Sequence, residues 1–443
     1  MKGSYAMNYF IEPSKKIPVK REIDVLVIGA GPAGFSAAVN AARQGATTML
    51  IDQAGDVGGV ATTGMMSHWT GNTRGGFYEE ILNRSSDFPD NFDTLGINGN
   101  YRQIINTEKL KTVMLEMLIE AGVNLQLYTF ASEAIIENDC IKGVIVESKS
   151  GREAILAKII IDASGDGDIA AKAGAAYTIG RETDGKMQPM TIMFKVAGVD
   201  FNTAVFPGGF EDNIKIPNGL IQTLGHENIP QPAGHVLLYR STLNGIVTCN
   251  MTNCIDVDGT KAEDLTHATY VCRSQMVIIV KFLREFVPGY ENCYLITSAS
   301  IIGVRETRHF IGEYTITKED ILEAKVFDNW VVANAHFNFD VHNISGSGLD
   351  ATGAQKHFNQ PKGYTIPYGC FIPILIDNLF FAGRNISGTH LAHSNYRVMP
   401  ICVNMGQTIG IAAALCANEN ILPRNLEVKK LQQILKEKGV CPQ

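Results

Sequence analysis

The segment from Ile23 to Asp52 constrains the fold of this chain more than any other, because an apolar run breaks directly into the turn Gly-Ala-Gly-Pro-Ala-Gly of residues 29–34. Residues 23–28 predict a strand, residues 33–44 a helix with small residues on one face, and residues 47–51 a second strand. Backbone N–H groups line the turn, and the helix N-terminus that follows it has about half a positive charge, which favours a bound anion. The segment predicts a β-α-β unit that binds a dinucleotide.

Each residue of this unit has a predicted task. Gly29 permits the tight turn, Gly31 lets backbone N–H groups approach a pyrophosphate, and Gly34 allows the helix to pack closely. Asp52 ends the second strand, where an acidic side chain can accept hydrogen bonds from a ribose hydroxyl pair. The predicted cradle also contains Pro32, Ala33 and Gln53.

The composition bounds the class of protein. A chain of 443 residues with 45% hydrophobic residues is longer than one core usually grows, so two connected domains are expected. The net charge of −7 without a lysine or arginine cluster argues against a nucleic-acid partner. The sequence shows no signal peptide and no long uninterrupted apolar stretch, and its nine cysteines are spread singly. These features predict a cytoplasmic protein that does not span a membrane.

The order of patterns predicts an α/β fold in which a second domain is inserted into a Rossmann-like domain. From residue 187 the chain changes to short strand-like runs and one long amphipathic helix around 265–286, and a buried strand returns at 379–381. The predicted divisions are an N-terminal extension (1–22), a nucleotide-binding domain in two parts (23–186 and 365–443), and a mixed α+β substrate domain between them (187–364).

Further glycine-bearing segments decide which dinucleotide the fold takes. An extended flavin dinucleotide meets a Gly-Gly loop after the second strand, a late strand that ends in glycine, and a helix N-terminus near the isoalloxazine, and all three have candidates here. We expect that helix N-terminus at Gly406, Gln407 and Thr408, within a helix predicted over 398–417. The other predicted cofactor contacts are Gly58, Gly59, Ala61, Thr62, Phe130, Ala131, Ala163, Ser164, Gly165, Gly383 and Arg384.

Four motifs resemble those of the bacterial FAD-dependent oxidoreductase family, relatives of the fumarate-reductase and geranylgeranyl-reductase type flavoproteins. They are Asp-Ala-Ser-Gly-Asp-Gly-Asp (162–168), Val-Arg-Glu-Thr-Arg (304–308) with Gly-Glu-Tyr (312–314), Asp-Val-His (340–342), and Ala-Gly-Arg-Asn-Ile-Ser (382–387) with Arg-Val-Met-Pro (397–400) and Gly-Gln (406–407). The resemblance implies FAD as cofactor and redox chemistry. Two features depart from the family pattern: His309 replaces the second arginine of a doublet, and residues 388–395 contain two histidines.

Three histidines are candidates for acid/base chemistry. His342 is the first, since Asp340 can set its environment and imidazole titrates near neutral pH, although a structural imidazole bonded to a backbone carbonyl is the alternative. His390 and His393 fall in a predicted loop between two cofactor-contacting elements, where they would border the active cavity. No third metal ligand is identifiable beside them, so no metal site is predicted.

Arginines offer a permanently charged, bidentate grip on a carboxylate or phosphate. Arg305, Arg308 and Arg397 are therefore candidates to hold an anionic substrate. The alternative for Arg305 and Arg308 is a pair with Glu306 or another buried acid that holds two domains together. His68 and Trp69 follow the glycine-rich loop, where they would line the flavin face or pack in the core.

Three functions agree with these motifs. The first is an FAD-dependent dehydrogenase or reductase that transfers a hydride between flavin N5 and a small organic substrate, with an electron donor or acceptor of unassigned identity. The second is a flavin monooxygenase that uses NAD(P)H and O₂, although the sequence has no second complete dinucleotide motif. The third is a non-catalytic flavin electron carrier. The sequence does not assign an oligomeric state.

Overall fold

The computed structural model describes residues 10–71, 73, 76–85, 92–93, 102–207, 212–350 and 362–442, so parts of the predicted extension and of the predicted substrate domain lie outside these residues. The strands are β1 (Val19–Ile28), β2 (Thr48–Ile51), β3 (His68–Thr70), β4 (Phe92–Asp93), β5 (Arg102–Ile104), β6 (Asn124–Gln126), β7 (Thr129–Glu137), β8 (Cys140–Ser148), β9 (Gly151–Asp162), β10 (Tyr177–Ile179), β11 (Phe194–Ala197), β12 (Lys215–Ile216), β13 (Gly219–Leu220), β14 (Leu238–Arg240), β15 (Val247–Cys249), β16 (Tyr294–Ser298), β17 (Arg308–Phe310), β18 (Trp330–Ala335), β19 (Tyr364–Pro367) and β20 (Leu379–Phe381).

Ten α-helices accompany these strands in the described residues. They are α1 (Pro32–Arg43), α2 (Phe77–Ser85), α3 (Thr107–Ala121), α4 (Asp168–Lys172), α5 (Ile221–Asn228), α6 (Ala262–Phe286), α7 (Lys318–Leu322), α8 (His390–Tyr396), α9 (Met399–Glu419) and α10 (Val428–Glu437).

The central sheet of the described chain has the order β6-β2-β1-β9-β8-β7, and β20 pairs with β9 beside this path. The pairs β1–β2, β1–β9, β2–β6 and β20–β9 are parallel, whereas β7, β8 and β9 form an antiparallel meander. The carboxyl ends of β1, β2, β9 and β20 therefore meet at one edge of the sheet. Open parallel sheets bind their ligands at this edge.

The predicted β-α-β unit forms with the predicted order. Val25, Leu26 and Val27 are fully buried, as a strand covered on both faces requires. Helix α1 packs along α9, where glycines replace side chains: a Cβ added at Gly406 would lie 2.0 Å from Ala33 O, and one at Gly410 would lie 2.2 Å from Ala37 O. Only glycine permits the two helix backbones to approach this closely.

A second hydrophobic core lies in the inserted region. It combines the sheet β14-β15-β11-β16 with α5 and α6, and its buried residues run from Met190 to Ala299. From Phe310 onward the buried residues belong to the core of the central sheet, including Trp330 and Tyr364. The predicted insertion is thus seen as a separate core, which ends earlier in the sequence than the predicted domain end at residue 364. The domain boundaries themselves stay a prediction.

Two local predictions are wrong. Residues Gly406–Thr408 are not at a helix N-terminus, because α9 begins at Met399, after the N-cap Val398, and Pro400 occupies its first turn. The segment that carries His390 and His393 is helix α8 rather than a loop, since the Thr389 hydroxyl accepts a hydrogen bond from Ala392 N and caps it.

Helix α9 is long and apolar enough to cross a bilayer by length and composition. However, 94% of its apolar window is buried inside the protein. It lies between α1 and β18, with Ile409, Ile411 and Ala413 fully buried. Its apolar character is that of a helix inside a protein core.

Candidate active site

One large cavity opens at the carboxyl edge of the central sheet. Its volume is about 1210 Å³, more than most single-ligand pockets hold. The turn after β1 and the ends of β2, β9 and β20 line one part, and the inserted sheet lines another through Tyr239 and Asn250. The arrangement gives room for an extended cofactor together with a second molecule.

The turn after β1 has the shape of an anion cradle. Gly29 has φ +93°, and a Cβ there would lie 2.5 Å from Ala163 O, so the turn and the end of β9 are in direct contact. Gly31 is the N-cap of α1 with no side-chain cap, and a Cβ placed on it would meet no described atom within 4 Å. Gly31 therefore faces open cavity next to unbonded N–H groups of a helix start, where a pyrophosphate fits.

Asp52 links the end of β2 to this cradle. Its Oδ2 accepts a 2.5 Å hydrogen bond from Ala30 N, and its Oδ1 accepts one of 2.7 Å from Ala54 N. A carboxylate has lone pairs left after two such bonds. Asp52 lines the cavity and can also accept from a ribose hydroxyl pair.

The ends of β9 and β20 form the opposite wall of the cradle. Asp162 is fully buried, and burial raises the pKa of its carboxyl while bonds from the Ser164 hydroxyl and Ala170 N oppose that rise. Ser164 Oγ in turn accepts from the N–H groups of residues 167 and 168. Arg384 pairs with Asp166 at 2.7 Å. This network fixes the loop that faces the cavity.

A charged cluster occupies a separate part of the cavity wall. Arg397 donates to Asp340 through Nη2, over 3.0 Å to the carboxylate and 2.9 Å to the backbone carbonyl. His342 Nε2 lies 3.3 Å from the same Asp340 Oδ2. Arg305 donates to Pro189 O at 2.5 Å and Thr191 Oγ1 at 2.9 Å. All four side chains belong to residues that line the cavity.

These neighbours determine the charge of each group. Burial and the nearby Arg305 lower the pKa of His342 to about 4, so its imidazole is neutral at pH 7. Burial acts to raise the pKa of Asp340, but His342, Arg397 and Arg305 outweigh it and hold that pKa below its usual range. Burial and Arg397 lower the pKa of Arg305 to about 10, which leaves it charged. One carboxylate faces two guanidinium groups, so the cluster has a net charge of +1.

The structure brings most of the predicted site residues to this cavity. Those that line it are Gly29, Gly31, Pro32, Ala33, Asp52, Gln53, Gly59, Ala163, Ser164, Gly165, Gly383 and Arg384 from the predicted cofactor contacts, and Arg305, Asp340, His342 and Arg397 from the predicted catalytic group. His68 also lines the cavity, stacked on Tyr239 with ring centroids 3.4 Å apart, whereas Trp69 is fully buried against Tyr78.

Other predicted contacts lie behind the wall. Gly58 and Thr62 shape the glycine-rich loop, since Gly58 N donates to Ala30 O at 2.7 Å and Thr62 Oγ1 donates to Val57 O at 2.5 Å. Nine of the predicted cofactor contacts are not on the cavity wall, so their contact with the cofactor stays a prediction: Gly34, Gly58, Ala61, Thr62, Phe130, Ala131, Gly406, Gln407 and Thr408. Gly34 has the packing role predicted for it, since a Cβ there would lie 1.8 Å from Gly29 O. Gln407 accepts from Phe77 N and Thr408 donates to Val331 O, which are bonds within the core.

His390 and His393 do not line the cavity either. Both are buried beside Glu306, which is fully buried and accepts hydrogen bonds from His390 Nδ1 at 2.5 Å and His309 Nε2 at 2.8 Å. Arg308 pairs with Asp168 at 2.8 Å, an acid whose side chain is 43% exposed, and so not with the buried acid of the predicted alternative.

Sequence reasoning missed several residues of the cavity wall. Tyr239 lies on β14 and Asn250 directly follows β15, and a polar residue in or beside a short strand has no distinguishing pattern. Val398 and Met399 begin α9 and line the cavity, and here a signal existed, because Pro400 marks the first turn of a helix. The helix N-terminus expected at the site is therefore present, seven residues before the predicted position.

Comparison with known families agrees with this geometry. A family profile described as FAD dependent oxidoreductase matches residues 24–435. The chain belongs to this family. FAD is accordingly its cofactor, and the uncapped helix start, the open space over Gly31 and the cavity of about 1210 Å³ fit that molecule.

Individual relatives of this FAD dependent oxidoreductase are distant. Digeranylgeranylglycerophospholipid reductase 2 of Methanopyrus kandleri is 24% identical over 151 residues, which cover 32% of this chain and 38% of that protein. Digeranylgeranylglycerophospholipid reductase of Methanosarcina acetivorans is 26% identical over 220 residues, or 42% of this chain and 50% of that protein. The chain thus spans half or less of the length of these relatives.

Solved structures show similarity over a larger share of the chain. A geranylgeranyl bacteriochlorophyll reductase-like protein from Thermoplasma acidophilum covers 94% of this chain and 84% of its own, with 14% identity and a TM-score of 0.49. The p-nitrophenol 4-monooxygenase PnpA from Pseudomonas putida aligns with 90% of this chain over 82% of its own length, with 9% identity and a TM-score of 0.46.

Proposed function

We propose that this FAD-dependent oxidoreductase oxidises a small organic anion by hydride transfer, with His342 as the proton acceptor. The observation that carries the proposal is that one cavity contains both the dinucleotide cradle and the cluster of Arg305, Asp340, His342 and Arg397. FAD, when bound, supplies a two-electron hydride acceptor at N5.

The proton acceptor follows from the hydrogen bonding of His342. Its Nε2 faces Asp340 Oδ2 at 3.3 Å, and an ionised carboxylate only accepts, so the proton of the neutral ring is on Nε2. Nδ1 is then the basic nitrogen. In oxidation of a secondary alcohol, the hydroxyl proton passes to His342 while the hydrogen on carbon leaves as hydride, which leaves a ketone.

Asp340 stabilises the charged form of His342 that this step creates. Before the step Asp340 pairs with Arg397, and after it the same carboxylate also faces an imidazolium. The low pKa of His342 returns the proton readily to water. Asp340 thus positions the base and offsets the charge that forms on it.

The substrate class follows from charge. With His342 neutral, the cluster has two guanidinium groups and one carboxylate, and a single substrate carboxylate neutralises it. The wall of the same cavity also contains Leu237, Met193 and Val304, which favour an apolar body attached to the anionic group.

Anaerobic bleaching of the bound flavin tests this proposal. A panel of 2-hydroxy acids, their neutral amides, and an isoprenoid phospholipid should show bleaching by hydroxy acids and none by the amides. Arg397→Gln should raise the substrate concentration for half-maximal bleaching at least about tenfold, as expected for loss of a charge-assisted hydrogen bond. Ser241→Ala, an exposed change in the inserted region, is the control.

Three outcomes would contradict the proposal or part of it. Bleaching by NADH or NADPH together with oxygen consumption stimulated by an aromatic substrate would identify a monooxygenase. Equal bleaching by the acids and their amides would remove Arg305 and Arg397 from substrate recognition. Bleaching by dithionite alone, with no response to any organic compound, would favour the electron carrier.

A further inference from the structure

The strongest unexplained feature outside the cavity is a buried group of one carboxylate and several imidazoles. Glu306 precedes β17, His309 lies within it, and His393 lies on α8. Their exposed fractions are 0%, 4% and 1%. One ligand atom from each of the three lies within 4.8 Å of the others.

We propose that Glu306, His309 and His393 bind a divalent transition-metal ion of the zinc class. Two imidazoles and one carboxylate are a ligand set that zinc takes in proteins, with a fourth position left for water. Ligand atoms around a tetrahedral ion are roughly 3.4 Å apart for bonds of about 2.1 Å, so no pair of ligand atoms needs to approach by more than about 1.4 Å on binding.

Two buried imidazole nitrogens without hydrogen-bond partners favour a bound metal ion over a network of hydrogen bonds alone. Nδ1 of His309 and Nδ1 of His393 are both buried without a hydrogen-bond partner in the described part of the chain. Buried polar atoms in native proteins are nearly always paired, so two orphaned nitrogens in one cluster require an explanation. The rings of His309 and His393 meet edge to face with centroids 4.8 Å apart, close enough to share one ion.

The surroundings already contain the support that a metal site needs. Glu306 Oε1 accepts from His390 Nδ1 at 2.5 Å, and Oε2 accepts from Gln188 N at 3.0 Å. Such outer hydrogen bonds hold a ligating carboxylate in position. His390 is thus a positioning residue in this arrangement.

Two of the proposed ligands coincide with departures of this sequence from the family pattern. His309 and His393 both lie at the departures from the family pattern, one in place of an arginine and the other in the varied segment 388–395. The fold brings these two departures together beside Glu306, although they are far apart in the sequence. An arginine at position 309 would place a fixed cation where the ion is proposed.

Metal analysis of the FAD-loaded, untagged protein tests the site. After growth with added zinc and dialysis, mass spectrometry should find about one zinc ion per chain. His309→Arg, which restores the family's residue, and His393→Leu should each lower the zinc content per chain at least about tenfold, while the FAD content stays unchanged. His267→Ala, which removes an exposed histidine of α6, should retain the full metal content.

Cobalt gives a second readout that does not depend on turnover. Cobalt-loaded protein should show d–d absorption at wavelengths beyond the flavin bands, and His309→Arg should lack it. A chelator should lower the Tm of the wild type but not that of His309→Arg. Wild-type protein without stoichiometric metal, or equal metal in His309→Arg and wild type, would overturn the proposal.

Discussion

Ala30 N donates a 2.5 Å hydrogen bond to Asp52 Oδ2, so the turn after β1 is held by the acid that ends β2. The bond joins the two halves of the cradle, and Asp52 also accepts from Ala54 N. Asp52→Ala should therefore weaken FAD binding by loosening the turn as well as by removing an acceptor. Hydrogen bonds to a charged group contribute about 1.5–3 kcal/mol, which predicts a rise in Kd of about tenfold or more.

Fluorescence titration of apoprotein with FAD measures this change. Asp56→Ala, which removes a more exposed acid of the same loop that pairs with Lys111, is the matched control and should bind FAD normally. Equal affinities for Asp52→Ala and Asp56→Ala would contradict the role given to Asp52.

Two glycines of the same turn should respond differently to a side chain. A Cβ at Gly31 enters open space, whereas one at Gly34 lies 1.8 Å from Gly29 O. Gly31→Val should fold with a nearly unchanged Tm as apoprotein and retain no FAD, because the valine fills the position of the pyrophosphate. Gly34→Ala should reduce the yield of folded protein. Calorimetry and flavin absorbance separate the two effects, and full flavin content in Gly31→Val would refute the cradle.

The contact between α1 and α9 predicts a large stability loss at a helical glycine. Gly410→Ala places a methyl group 2.2 Å from Ala37 O, which forces the two helices apart, although alanine favours a helix by about 1 kcal/mol over glycine. We expect a net loss of more than 1 kcal/mol, read as a lower midpoint in urea. Asn418→Ala, near the exposed end of α9, should change the midpoint little. A stabilised Gly410→Ala protein would show that α1 and α9 do not pack as described.

The buried His342 makes activity insensitive to pH where an ordinary histidine would titrate. Its pKa of about 4 keeps it neutral and able to accept a proton from pH 7 down to about pH 5. The kcat/KM for substrate oxidation should therefore be flat between pH 5.5 and 7.5 and should fall only near pH 4. His342→Gln should retain FAD and lose at least about 100-fold in kcat. An inflection near pH 6.5 in the wild type would contradict this environment.

The same pKa predicts a loss of stability in acid. Unfolded, His342 binds a proton near pH 6.5, whereas folded it does so near pH 4, so the unfolded state binds more protons between these values. The contribution of this residue is complete above pH 6.5 and is lost as pH falls toward 4, by up to about 3 kcal/mol. Urea midpoints measured from pH 7 to pH 4.5 should fall less steeply for His342→Gln than for the wild type.

The parts of the fold that depend on local pattern could be predicted from the sequence. The apolar run before Gly29 indicated the strand that leads into the turn on the cavity wall, and the family resemblance at 340–342 indicated Asp340 and His342, which line the cavity. The proposed metal site at Glu306 could not be predicted, because it depends on how β17 and α8 pack against each other. In the sequence, a pair of histidines three residues apart does not show where a third ligand lies. The N-terminus of α9 was misplaced because Gly406 serves helix packing, and glycine in a helix indicates close approach without naming the neighbour.

A crystal structure of the FAD-loaded protein tests the central claim most directly, that one cavity holds the cofactor beside the cluster of Arg305, Asp340, His342 and Arg397. The account predicts density for the pyrophosphate at Gly31 and the start of α1, with the flavin ring extending toward His342. A flavin ring that lies away from this cluster, or FAD bound outside the cavity, would contradict it.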